Sequence, residues 1–185
     1  MKTEEQYFQE GQSIDVYMDN MSKLKDESFL VYEQFQLPSD DFIDQLKQAS
    51  VHFLIITEDW CGDAMMNNAI IRKVAEAAHK DVRVVLRDSN LDLMDRHLTN
   101  GSRSIPIVLM LNEEGELIGK WGPRAPKCQQ LIDDSRAQLP EKDDPSFEEK
   151  QRDMYKGITK QFSSNEELWN NVYASFKEAV LEAVK

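Results

Sequence analysis

The chain has 185 residues, of which 22 are Lys or Arg and 34 are Asp or Glu, so its formal net charge is −12 at pH 7. This length suits one domain of roughly 100–150 residues with extensions, because two full hydrophobic cores would be cramped. The acidic balance disfavours a nucleic-acid or anionic-membrane partner, since phosphates would be repelled and the chain contains no dense basic stretch.

The segment before the first strand is predicted to be helical. Hydrophobic residues recur at three- and four-residue intervals over Thr3–Leu24, which indicates an amphipathic helix. A turn follows, with Ser39 as the predicted N-cap of a short helix that carries Phe42 and Leu46 on one face. We therefore expect residues 1–39 to form an N-terminal helical extension.

The central part of the chain alternates strands and helices. The nearly unbroken apolar run Val51–Ile56 is typical of a strand that is buried on both faces. A long helix that includes Met66 follows it, and a second strand is predicted over Val82–Arg87, parallel to the first if the crossover is right-handed. A short helix over Leu91–Leu98 then leads to Gly101.

A hairpin and a helix complete this part of the chain. The segments Ile105–Leu111 and Leu117–Trp121 flank a glycine-containing turn, which indicates a β-hairpin. Pro106 must open its strand, because proline cannot donate a hydrogen bond to a central ladder. A helix is predicted over Lys127–Leu139, and the short, charged segment Pro140–Pro145 is predicted to be a linker.

Beyond this linker, two helices are predicted over Ser146–Lys160 and Asn165–Val184, the second with hydrophobic residues at helical spacing. We expect residues 40–139 to form one α/β domain and residues 140–185 to form a C-terminal helical extension that packs on it. The aromatic residues of this extension are expected to cover a sheet edge or a helix face, with a dimer or partner surface as the alternative.

The cysteine content and the N-terminal sequence predict a cytoplasmic protein. No charged start followed by an apolar stretch indicates a secretory signal, and no run approaches the roughly 18 apolar residues of a membrane span. Two cysteines, Cys61 and Cys128, are too few for a disulfide framework, and no Cys/His spacing resembles a zinc site. In a reducing compartment, a distinctive cysteine is more often reactive than structural.

Cys61 is distinctive because it lies where a buried strand turns into a helix, in the string Trp60-Cys61-Gly62-Asp63-Ala64. At such a turn the sulfur faces unpaired N–H groups and the positive end of the helix dipole, which stabilise the thiolate. We therefore predict a pKa of Cys61 below its usual value of about 8.5. The carboxylate of Asp63 would oppose this effect if it turned toward the sulfur.

The Trp-Cys-Gly element after an apolar strand resembles the active site of the thioredoxin superfamily. Ser104–Leu109 resembles the segment around the family's cis-proline, Asn112–Leu117 resembles the following hairpin, and Gly119–Gly122 resembles the end of its last strand. The string Glu58–Asp63 is most similar to a bacterial thioredoxin-like group distinct from the housekeeping thioredoxins. The resemblance covers roughly residues 40–139 and implies a thioredoxin fold, with a central mixed sheet and helices on both faces.

Departures from the family pattern bear on the chemistry. Ala64 replaces the second cysteine of the Cys-x-x-Cys motif, Asp63 replaces the proline before it, and Ile55 replaces the buried acid of the preceding strand. Without a neighbouring thiol, a mixed disulfide on Cys61 cannot be released by the usual intramolecular attack. Cys128 could serve only if the fold brought its Cα within roughly 7 Å of that of Cys61. Ordinary dithiol reductase activity is therefore not expected.

Three functions remain open at this point. In the first, Cys61 acts alone as a monothiol, and a second thiol resolves its mixed disulfide. In the second, the fold is a non-catalytic peptide- or protein-binding module whose strand edge beside Pro106 pairs with an extended peptide. The third is a glutaredoxin-like site that binds glutathione with an iron–sulfur cluster, which Asp59 disfavours because such proteins usually place a lysine there.

The resemblance implies which residues form the site. Cys61 is the predicted catalytic residue, and the peptide bond before Pro106 is predicted to be cis. No metal or organic cofactor is expected, and the predicted partners are proteins or low-molecular-weight thiols and disulfides. Neither nucleic acid nor membrane is expected to bind, and the chain is expected to be a monomer or a weak homodimer. The predicted substrate-binding residues are Trp60, Gly62, Asp63, Ile105 and Pro106.

Overall fold

The computed structural model describes residues 1–185 and contains nine α-helices and five β-strands. The helices are α1 (Glu4–Glu10), α2 (Ile14–Asp19), α3 (Lys25–Gln34), α4 (Phe42–Gln48), α5 (Gly62–Ala77), α6 (Leu91–Met94), α7 (Pro126–Ala137), α8 (Phe147–Ser164) and α9 (Glu166–Ala183). The strands are β1 (Gln12–Ser13), β2 (His52–Thr57), β3 (Val82–Leu86), β4 (Ile107–Leu111) and β5 (Leu117–Trp121). No helix combines the length and the apolar character that crossing a membrane requires.

The five strands form one mixed sheet in the order β1-β3-β2-β4-β5. β2 and β3 are parallel, with Ile55 opposite Val84, as the right-handed crossover predicts. β4 is antiparallel to β2, with Val108 opposite Ile55, and β5 is antiparallel to β4. The short strand β1 is antiparallel to β3 at the sheet edge. The predicted α/β fold with a mixed central sheet is confirmed.

The sheet separates two hydrophobic cores of unequal size. The larger core has 35 buried residues and includes side chains of α5 and of the C-terminal helices, whereas the smaller core has 11 and includes side chains of α1 and α6. Alternate residues of β2 belong to different cores: Phe53 and Ile55 to the larger, Leu54 and Ile56 to the smaller. This division explains the unbroken apolar run of β2, since both faces of the strand are buried. Cys61 packs at the margin of the smaller core.

The N-terminal segment differs from the single helix predicted over Thr3–Leu24. After α1 the chain becomes extended at Gly11, where a Cβ would lie 3.1 Å from the Cβ of Arg83, so the glycine permits close approach to β3. The chain then forms β1 and α2 before Leu24, in a left-handed conformation, begins the unpredicted helix α3. A two-residue strand has no periodicity of its own, so the sequence pattern could not reveal it.

Two smaller predictions about helix ends were wrong. The N-cap residue of α4 is Asp41 rather than Ser39, and the Oδ1 atom of Asp40 accepts a hydrogen bond of 2.9 Å from the N–H of Phe42, the first helical residue. The helix predicted over Leu91–Leu98 ends at Met94. Both differences lie within the first or last turn of a helix, where side-chain hydrogen bonds decide the boundary.

The C-terminal helix α9 packs directly on the sheet. The ring of Phe176 lies 5.5 Å from that of Phe53 on β2 and 5.8 Å from that of Trp121 on β5, measured between centroids. The indole N–H of Trp169 donates a 2.7 Å hydrogen bond to the carbonyl oxygen of Phe162 and thereby connects α9 to α8. The larger core therefore includes side chains from residues 140–185.

Two histidine–glutamate contacts hold α1 in place, one with His52 on β2 and one with His97 in the segment after α6. His52 Nε2 lies 2.6 Å from a carboxylate oxygen of Glu5, and His97 Nε2 lies 3.0 Å from a carboxylate oxygen of Glu4. Burial lowers the pKa of His97, despite the opposing effect of Glu4. Burial alone would raise the pKa of both glutamates, but the hydrogen bonds and charges around them, those of the histidines first among them, together outweigh it, so the pKa of each is lowered.

We expect acidification to destabilise this attachment. A histidine whose pKa is lowered by folding contributes stability that is present above about pH 6.5, its unfolded pKa, and is lost as the pH falls. Glutamates with lowered pKa values act in the same direction at lower pH. Urea denaturation at about pH 7 and pH 5.5 should show this loss in the wild type and a smaller loss in His97→Gln, which does not titrate. Equal losses in both proteins would contradict the assignment to His97.

Candidate functional site

The site predicted around Cys61 lies where β2 ends and α5 begins. Cys61 is the N-cap residue of α5, with extended backbone, and Gly62 is the first helical residue. Cys61 is half-buried, and its S–H donates to the carbonyl oxygen of Ile105 at 3.6 Å. The N–H groups of Asp63 and Ala64 lower the pKa of the thiol, although neither makes a capping hydrogen bond to the sulfur. The fold therefore places Cys61 at the leading amides of a helix, as the sequence predicts.

The proline loop before β4 forms one wall of the site. The Ile105–Pro106 peptide bond is cis, and both residues are buried. Gly122, which follows β5, supports this loop from behind: its φ is +118°, and a Cβ there would overlap the carbonyl oxygen of Pro106. Only glycine fits such a backbone conformation so close to another backbone.

The segment leading into the proline loop leaves backbone groups free. Ser104 and Ile105 lie outside the strands, and their N–H groups make no hydrogen bond within the chain. These donors lie beside the Ile105 carbonyl that contacts Cys61. An extended peptide could use such free donors for strand addition next to the sulfur.

Trp60 forms the exposed wall of the site. It is 44% exposed, and the guanidinium of Arg87 lies over its ring at 5.0 Å from the centroid. Arg87 also donates a 3.0 Å hydrogen bond to the carbonyl oxygen of Arg103, in the segment that leads to Pro106. Arg87 therefore links the two sides of the site, a role that the sequence pattern did not indicate.

The environment of Cys61 works against ionisation. Burial raises the pKa of Cys61 to about 11, and the Asp63 carboxylate contributes to the increase. The N–H groups of Ala64 and Asp63 and the guanidinium of Arg124 lower the pKa by less. The predicted pKa below 8.5 is therefore wrong. The helix start supplies its amides, but the loss of solvent around the sulfur and an acid two residues away outweigh them.

Asp63 is buried and paired, which the sequence did not show. Arg124 Nε donates a 2.9 Å hydrogen bond to Asp63 Oδ1, and Arg124 Nη1 donates a 3.1 Å hydrogen bond to Gln129. The loop that carries Arg124 is held by Asn67, whose side chain donates to the carbonyl oxygen of Pro123 at 2.9 Å. Arg124 could have been suspected, because an acid in the first turn of a buried helix requires a partner.

Other candidate residues lie away from the sulfur or are inaccessible. The carboxylate of Asp59 accepts 2.8 Å hydrogen bonds from the N–H and the hydroxyl of Ser22, which attach it to the N-terminal segment. Cys128 is fully buried in α7, and both cysteines are free. On the side of α8, Thr159 approaches Gly62, where a Cβ would lie 3.2 Å from the threonine hydroxyl. The structure thus brings Cys61 into contact with Ile105 and leaves Trp60 exposed beside it, whereas Asp63, Ile105 and Pro106 are buried.

Comparisons with known proteins agree with this fold. A family model described as thioredoxin matches residues 11–137, a range that begins before residue 40 and includes β1. A protein of unknown function from Pseudomonas aeruginosa is 18% identical, with a TM-score of 0.64, over 96% of this chain and 99% of that chain. An HIV 4E10 epitope-scaffold is 17% identical, with a TM-score of 0.65 and the same coverage. No curated protein matches the chain.

Proposed function

The chain belongs to the thioredoxin family, and from this premise we propose that it performs monothiol thiol–disulfide exchange through Cys61. The family match and the sheet order confirm the predicted thioredoxin-like fold. One observation carries the proposal: the half-buried Cys61 is the N-cap residue of α5, and its sulfur contacts the carbonyl oxygen of Ile105. One turn later, the position of a resolving thiol is occupied by the buried Ala64.

In the proposed reaction, the thiolate of Cys61 attacks one sulfur of a substrate disulfide. A bond forms between these two sulfurs, the substrate S–S bond breaks, and its other sulfur leaves as a thiolate that takes up a proton. A second thiol, protein-borne or of low molecular weight, then attacks the mixed disulfide and releases Cys61. The free N–H groups of Ser104 and Ile105 would bind the backbone of a polypeptide substrate, with Trp60 as the opposite wall.

A specific observation favours a second candidate, a non-catalytic peptide- or protein-binding module. With a pKa of about 11, only about one Cys61 in 10⁴ is ionised at pH 7. A protonated thiol that donates to Ile105 is a poor nucleophile, whereas the free backbone donors beside it would still pair with an extended chain. The two functions therefore differ in whether binding requires the sulfur.

The test is to incubate the reduced protein with a peptide disulfide and to analyse the products by peptide mass spectrometry. Exchange predicts one adduct per molecule, on Cys61, that added thiol releases and that Cys61→Ser does not form. Because the thiolate fraction rises tenfold per pH unit below the pKa, the rate should rise about tenfold per unit between pH 7 and pH 10. The buried Cys128 serves as the internal control.

The same experiment separates the two candidates. Slow modification of Cys61 and Cys128 at equal rates would contradict monothiol exchange. Equal affinity of wild type and Cys61→Ser for a cysteine-free extended peptide, together with absence of the adduct, would support the binding module instead.

A further inference from the structure

The most buried ion pair near the sulfur takes no part in the exchange reaction proposed above. Asp63 and Arg124 form this pair, with side chains that are only 10% and 16% exposed. Burying two charges is costly, and replacing such a pair by apolar residues is often neutral or stabilising. Stability alone therefore does not account for its position in the first turn of α5, two residues after Cys61.

Hydrogen bonds to neighbouring elements hold the Asp63–Arg124 pair in place. Arg124 makes a second hydrogen bond to Gln129 of α7, and its loop is anchored to α5 through Asn67 and the carbonyl oxygen of Pro123. Gly122, with its positive φ, sets the direction of the same loop against Pro106. The guanidinium that faces Asp63 is thus held by the same loop that supports the proline wall of the site.

Other charged and titratable groups near Cys61 and Asp63 come from several elements. Burial raises the pKa of Asp63, against the lowering effects of Arg124 and of Arg136 in α7. Burial also raises the pKa of the Cys128 thiol in α7, with a further increase from Asp63 and a decrease from Arg124. Burial raises the pKa of Tyr17 in α2, and the charges of Cys61 and of the acids Glu58 and Asp59, in the loop after β2, add to the increase. Among them, Asp63 is the carboxylate that acts directly on the Cys61 thiol, and Arg124 is the cation that opposes it.

We propose that Asp63 and Arg124 are positioning residues that set the reactivity of Cys61. Burial of the sulfur is the main reason that the thiol stays protonated, and the carboxylate of Asp63 adds to this effect. The guanidinium of Arg124 limits the contribution of the carboxylate by neutralising much of its charge. The benefit of setting this reactivity rests on the proposed function, whereas the reactivity itself can be measured without it. A site without a resolving thiol benefits from low reactivity, since a free thiolate with no partner is open to irreversible oxidation.

The test measures the rate of Cys61 alkylation by iodoacetamide as a function of pH, with peptide mass spectrometry to separate Cys61 from Cys128. Asp63→Asn keeps a hydrogen-bond acceptor for Arg124 but removes the charge, so the pH profile should shift to lower pH and the rate at pH 8 should rise about tenfold. Adding Arg124→Gln to this variant should reverse part of the gain, because it removes the cation that then faces the sulfur.

Asp59→Asn is the matched control, because Asp59 lies two residues before Cys61 but is bound to Ser22. At each pH, the rate of Cys61 alkylation in this variant should stay within about twofold of the wild-type rate. Asp63→Ser repeats the measurement if Asp63→Asn does not fold, as judged by circular dichroism. An unchanged profile in a folded, charge-free variant, or an equal shift in Asp59→Asn, would overturn the inference.

Failure of this inference is distinguishable from failure of the proposed function. If wild type forms the mixed disulfide but Asp63→Asn leaves the alkylation profile unchanged, the exchange stands and the inference is wrong. If Asp63→Asn shifts the profile while neither protein forms a mixed disulfide, the inference stands and the exchange is wrong.

Discussion

Replacing Gly122 with alanine is expected to destabilise the protein by about 2–4 kcal/mol and to disturb the proline loop beside Cys61. Gly122 has a φ of +118°, which L-residues other than glycine rarely adopt. An added Cβ would also overlap the carbonyl oxygen of Pro106 and lie 3.3 Å from its carbonyl carbon. Since both neighbours are backbone atoms, no side-chain rotation can relieve the overlap.

Gly157→Ala is the matched control for this substitution. Gly157 lies within α8, and no atom would be within 4 Å of an added Cβ. Alanine should therefore stabilise the protein by roughly 0.5–1 kcal/mol, the usual difference within a helix. Urea denaturation of both variants measures the difference, and iodoacetamide labelling of Cys61 in Gly122→Ala reports on the surroundings of the sulfur. Similar stabilities of the two variants would contradict the proposed contact between Gly122 and the proline loop.

Long elements with a strong hydrophobic pattern were predicted correctly from the sequence. The run of β2 is buried on both faces, and the helical spacing of α9 corresponds to residues buried against the sheet. In these segments the hydrophobic pattern of the sequence matches the burial in the fold, so the periodicity alone is sufficient to predict the element and its buried face. The N-terminal segment fails this condition, since β1 depends on pairing with β3, far away in the sequence.

The candidate site could be predicted only in part, for a related reason. The placement of Cys61 at a helix start follows from a strand next to a helix in the sequence, and its proximity to Ile105 follows from family resemblance. The pairing of Asp63 with Arg124 joins residues 61 positions apart, which no local pattern reveals. The direction of the pKa shift of Cys61 depends on how much solvent the sulfur loses, and that is a property of the assembled fold.

We propose that residues 140–185 are an extension whose packing on the domain is required for stability, and Phe176 is its most informative residue. It is fully buried, and its ring contacts those of Phe53 on β2 and Trp121 on β5. Phe176→Ala should therefore destabilise the protein by about 3–5 kcal/mol, because a large cavity forms and aromatic contacts with two strands are lost.

Glu178→Ala provides the control, since Glu178 lies two residues further along α9 with an exposed side chain. This change should alter the free energy of unfolding by less than about 0.5 kcal/mol. Urea denaturation, followed by tryptophan fluorescence, suits both variants because Trp121 lies next to Phe176. An accessory helix that only covers the domain would give a small effect in both variants. A large loss in Phe176→Ala alone would mean that α9 completes the core on which β2, and with it the position of Cys61, depends.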